Sequence, residues 1–155
     1  LVFAAVFAAC ESEQVGPTRL YDLAGTYRLS AVNGQALPVD LVSPDGNRKV
    51  SFVGGTLDVG AATSDAPSLS SGTSSGEYTL RLDVHVTFVP RALEVDTFSV
   101  YEGSYGAGSV VIELHGDWAL RRQLLFSGTH REGRVELLSH RDPYAVGRLD
   151  LLFER

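Results

Sequence analysis

The chain has 155 residues, 44% hydrophobic and 21% charged, with a formal charge of -6. One domain is the default at this length, and the apolar content is enough for a core without disulfides or metals. The acidic balance, with no cluster of Lys and Arg, excludes a nucleic-acid footprint, and a lone cysteine excludes an internal disulfide.

Residues 1–10, LVFAAVFAAC, are wholly apolar or small and end in the single cysteine. They are too short to span a bilayer, which takes about 20 residues, and read as the remnant of a signal sequence. Phe7-Ala8-Ala9-Cys10 resembles a bacterial lipobox, with Phe7 where Leu is commonest. That resemblance implies diacylation of Cys10 and a membrane anchor. Residues 11–20 are then a flexible linker. Glu11 directly after the cysteine, rather than Asp, favours the outer membrane of a bacterial cell envelope.

The barrel domain is expected over residues 21–155. Leu29 to Val32 reads as a strand, and Asn33-Gly34 as a hairpin turn, since both residues tolerate positive φ. Ser43 to Arg48 is a turn cluster. Lys49 to Val59 is a strand interrupted at Gly54-Gly55, where paired glycines predict a bulge or sharp bend. Residues 61–76, rich in Ser and Gly, bury too little to offset their ordering entropy and are expected to be a mobile loop.

Glu77 to Val89, EYTLRLDVHVTFV, carries the clearest pattern in the chain. Tyr78, Leu80, Leu82, Val84, Val86 and Phe88 alternate with polar residues without a fault, so they share one face of a long strand. Glu94 to Tyr105 alternates more weakly and its register cannot be read. Ser109 to His115 is a short apolar strand. Gly116-Asp117 reads as a two-residue hairpin into Trp118 to Ser127, where Trp118, Leu120, Leu124 and Phe126 share a face with Arg122. Arg134 to Ser139 and Arg148 to Glu154 complete the set, the last with Leu149, Leu151 and Phe153 on one face.

About eight strands with short turns, and no helical period, give an all-β class. An eight-stranded antiparallel up-and-down barrel is the preferred architecture and a two-sheet sandwich the alternative. Tyr78, Phe88, Trp118, Phe126 and Phe153 either line a cavity with Arg122 or fill a dry core. Arg122 either snorkels to the barrel mouth or points inward towards an acidic group.

Ala24 to Leu29 followed by Val32 to Pro38, then the long alternating strand, Glu102-Gly103-Ser104-Tyr105 and a final strand ending in an aromatic and Arg, resemble the lipocalin-like domains of bacterial lipoproteins. The resemblance implies a barrel that binds a small apolar or amphipathic ligand. In lipocalins an Arg packs across the Trp of a Gly-x-Trp motif on the first strand. Gly25-Thr26-Tyr27 matches that motif with Tyr for Trp, and Arg148 or Arg155 would supply the cation.

No catalytic or metal signature is legible. Asp83 and His85 share the polar face of the long strand, and His115 is flanked by Glu113 and Asp117, but neither spacing matches a metal motif. Ser127-Gly128-Thr129-His130 lacks a nucleophile setting, and Gly103, Gly106 and Gly108 form no phosphate loop. The expectation is a non-enzymatic envelope protein without cofactor, either a ligand carrier or a filled-core structural or interaction module with an unknown protein partner.

Overall fold

The computed structural model describes residues 23–63, 74–118 and 121–155, without the side chains of residues 117, 118, 121 and 122. Cys10, the linker over residues 11–20, the central part of the expected loop, and the side chains of Trp118 and Arg122 therefore lie outside the described residues.

Ten strands follow one another in the described residues: β1 (Gly25–Val32), β2 (Gln35–Ala36), β3 (Val39–Val42), β4 (Arg48–Val59), β5 (Ser74–Phe88), β6 (Leu93–Ala107), β7 (Val111–Trp118), β8 (Arg121–Arg131), β9 (Arg134–Ser139) and β10 (Asp150–Glu154). A single 3-10 turn, Val89–Arg91, joins β5 to β6. From β4 to β10 each strand pairs antiparallel with the next, and β1 pairs with both β10 and β4. The ring closes. Eight strands form an antiparallel up-and-down barrel, and β2 and β3 lie outside it as short additions to β1 and β4. The β1–β4 pairing decides against a sandwich, because it removes the two edges a sandwich would keep.

Local chemistry explains the elements. Asn33 and Gly34 take φ of 51° and 75°, the pair of left-handed residues that a tight hairpin between β1 and β2 demands. In β5 the even residues Tyr78 to Val86 face inward and are buried, as strict alternation requires. In β4 the register slips between Phe52 and Gly54, leaving Val53 exposed. That bulge moves the inward set from Val50 and Phe52 to Leu57 and Val59, so the strand can bend while keeping its core face.

Three expectations need correction. The turn after β7 is not at Gly116-Asp117: Gly116 lies within the strand, paired with Gly103 on one side and Gln123 on the other. A Cβ at Gly116 would lie 2.7 Å from the Leu125 side chain, so the glycine makes room there rather than a turn. The run from Trp118 to Ser127 does not keep one apolar face, because the register slips at Leu125, between the pairs Leu114–Phe126 and His115–Leu124. Arg122 pairs with Asp117 at its register position. The expected loop over residues 61–76 ends early, since Ser74 to Gly76 belongs to β5 and Thr63 bridges Ser75.

Candidate functional site

The barrel interior is the first place to look for a site, and among the described residues its part around the inward face of β5 is closely packed. Among the candidate lining residues, Tyr78, Leu80, Leu82, Val84, Val86, Phe126 and Phe153 are all no more than 7% exposed. These side chains close on one another and on Tyr27, Phe52, Leu57, Tyr105, Ile112, Leu114, Leu137 and Leu151. Phe88 is the exception. It sits at the end of β5, half-buried under the Arg48 guanidinium at 5.2 Å, because strand and inward face both run out there.

The entry end is closed and the far end only partly covered, since Leu93 and Val95 on the inward face of β6 remain 50% and 39% exposed there. At the end where the chain enters, the Arg155 guanidinium lies 4.7 Å from the centre of the Tyr27 ring. Its Nη2 donates to the Leu23 and Ala24 carbonyls, and the Tyr27 hydroxyl donates to the Leu23 carbonyl at 2.9 Å. Arg148 does not take this role. It is exposed just before β10, at the other end of the barrel, since β10 runs from there towards the entry end.

At that far end the β9–β10 connection folds inward. Asp142 accepts hydrogen bonds from the backbone N–H of Val146 and Gly147, which tightens the connection and aims Tyr144 at the core. The Tyr144 ring meets Phe52 edge to face, with centroids 5.4 Å apart, and its carbonyl accepts a hydrogen bond from Arg48. Burial pushes the Tyr144 hydroxyl up to about 12. Asp142-Pro143 marked a turn in the sequence, but nothing in the pattern said that Tyr144 would plug the barrel.

The polar residues that the sequence singled out on β5 and β7 lie on the outer wall. His85 pairs through Nδ1 with Asp96 at 2.7 Å, while Asp83 pairs with Arg81, so Asp83 and His85 do not converge on one point. His115 hydrogen-bonds Glu113 at 3.3 Å. No group of three or more His, Cys, Asp or Glu able to hold a metal occurs among the described residues. Tertiary structure does bring together a pair that spacing did not reveal: Ser127 on β8 and His140 after β9 share a 2.7 Å hydrogen bond between Oγ and Nε2. No carboxylate hydrogen-bonds the other ring nitrogen among the described residues. Among the described residues, then, no carboxylate stands behind the pair as the third group that orients a base in nucleophilic catalysis.

Concavities on the surface of the described residues include two larger ones. A trough of about 840 Å³ crosses the outer faces of β1, β4, β5 and β6, with Asp58, Glu77 and Glu102 on its walls. A hollow of about 490 Å³ at the entry end is lined by His130, Arg131, Arg134 and Arg155 beside Glu132. His130 is buried there, and its Nε2 is 2.8 Å from the Gly108 carbonyl. No family model, no curated protein and no solved structure matches the chain.

Proposed function

We propose that the protein is a filled-core β-barrel module of the bacterial cell envelope, held at the outer membrane by lipid on Cys10, which works through its surface rather than by carrying a ligand inside. The observation that carries the reading is the packing of the interior. A carrier barrel keeps its inward side chains short of one another so that a ligand can fill the gap, whereas the buried inward side chains here are in mutual contact, with Arg155 over Tyr27 at one end and Tyr144 against Phe52 towards the other. The lipocalin-like resemblance enters this reading as barrel architecture and address, and the ligand it implies does not. No reaction is assigned to the module.

Native mass spectrometry of protein purified from its own host without delipidation tests the interior. Bare polypeptide plus the anchor is the expected mass. A further few hundred daltons that leaves on collisional activation would restore the carrier reading. The anchor has a separate test, metabolic labelling with a palmitate analogue: Cys10→Ala should abolish incorporation, and equal labelling of the variant would remove the anchor from the proposal.

A further inference from the structure

β6 is paired to β5 along its whole length, from Leu93 opposite Phe88 to Ala107 opposite Ser74. Its pairing with β7 begins only at Gly103. From Leu93 to Glu102, then, no strand among the described residues pairs with the side of β6 that faces away from β5. That leaves roughly 30 Å of edge, along which every second residue points its N–H and C=O outward.

An open edge of this length is a template for another strand, and proteins usually blunt one with a bulge, a proline or a lysine. β6 has none of the three: its register against β5 runs without a slip, and neither Pro nor Lys occurs from Leu93 to Ala107. The edge is apolar on both faces. Leu93 and Val95 lie on the inward side and Phe98 and Val100 on the outward side, all four exposed. Its charge has one sign, since Glu94, Asp96 and Glu102 share the outward face with Phe98 and Val100. Two cations on the outward face of β5 are already engaged: Arg81 is paired with Asp83 and covers Phe98 at 4.5 Å, and His85 is paired with Asp96 and lies 3.9 Å from Glu94.

That charge decides the occupant. A second copy docking antiparallel on this edge would bring Glu94, Asp96 and Glu102 of both copies onto one shared outward face with no cation on either strand, and like charges gathered together destabilise a pair. We infer that the Leu93–Glu102 edge of β6 receives an extended segment of another protein by antiparallel strand addition, a segment in which Lys or Arg alternates with apolar residues. Backbone hydrogen bonds supply affinity. Cations opposite Glu94, Asp96 and Glu102, with apolar residues opposite Phe98 and Val100, supply selection and register. The inference names the docking surface of the interaction module proposed above and rests on that reading.

The probe is a synthetic ten-residue peptide with Lys at the places opposite Glu102, Asp96 and Glu94 and with Val or Thr elsewhere. Its control replaces each Lys with Glu. Fluorescence anisotropy at low salt should show the basic peptide binding at least tenfold more tightly than the acidic one, with hydrogen-exchange protection gained at alternate amides between Leu93 and Glu102. In Glu94→Lys/Glu102→Lys, which alters two exposed side chains and gives up only the 3.9 Å Glu94–His85 contact while leaving the His85–Asp96 pair in place, the preference should invert. Equal binding of the two peptides, or protection gained elsewhere, would overturn the inference. So would the same amides becoming protected as the protein alone is concentrated, which would make a second copy the occupant. None of these outcomes depends on what the barrel interior holds, so failure here is separable from failure of the filled-core reading.

Discussion

The packed interior makes a sharp prediction at Leu80. This residue is fully buried at the middle of β5, opposite Leu57 on β4 and Tyr101 on β6. Leu80→Ala removes side-chain carbons worth about 2.5 kcal/mol in transfer free energy. Walls held by strands on both sides cannot collapse fully, so a cavity cost is added and the total reaches about 3 to 4 kcal/mol. The opposite change is the more discriminating one. Leu80→Trp forces a larger side chain into space already occupied and should cost about 1 to 3 kcal/mol. With a urea slope of about 2 kcal/mol per molar, the midpoint of equilibrium unfolding should fall by about 1.5 to 2 M for the alanine and about 0.5 to 1.5 M for the tryptophan. In a hollow barrel the indole would enter free volume and cost nothing. A tryptophan variant that unfolds at the wild-type midpoint would refute the argument from packing.

Three further outcomes follow from individual contacts. Arg155→Ala should lose about 1 to 2 kcal/mol through the Tyr27 stacking and the hydrogen bonds to Leu23 and Ala24, lowering Tm by about 3 to 6 °C, while Arg148→Ala leaves Tm unchanged; calorimetry on both variants reads the difference. Hydrogen bonds from Ser43 and Asn47 hold the Asp45 carboxyl down at about 2, so the stability it lends the turn before β4 is fully present above its ordinary value of 3.8 and is lost as pH falls through 2. Carbon-detected NMR titration should give that midpoint, and a midpoint near 3.8 would exclude the capping role. Tyr144 shifts the other way: burial raises it from 10 to about 12, so its contribution is intact below pH 10 and falls as pH rises to 12, where the unfolded chain has ionised and the folded one has not. Burial raises Tyr101 as well, so absorbance titration at alkaline pH should show late tyrosine ionisation whose amplitude Tyr144→Phe reduces.

Much of the fold was legible in the chain because strand periodicity is a local property. The even residues from Tyr78 to Val86 face the core as their alternation required, Asn33-Gly34 turns the chain, and the glycine pair of β4 lies beside a bulge. Legibility ended at register slips. An extra residue at Leu125 reverses the faces of β8, and no side-chain pattern announces it, because the slip is set by the partner strand. The same is true of β6, whose weak alternation acquired a register only from β5. Site residues divided along the same line. The resemblance paired Tyr27 with Arg148 or Arg155 and the structure chose Arg155, whereas the meeting of Ser127 with His140 and the inward turn of Tyr144 join segments that the sequence keeps apart or cannot orient.

By itself, then, the sequence determined an all-β chain, the face that its longest strand buries, and the places where it reverses. These depend on one residue and its near neighbours. Closure of β1 onto β4, the filling of the interior and the open edge of β6 were decided only by the tertiary structure. Each is a relation between distant strands, and pairing energy, packed volume and the absence of a neighbour take a value only once all the strands are in place.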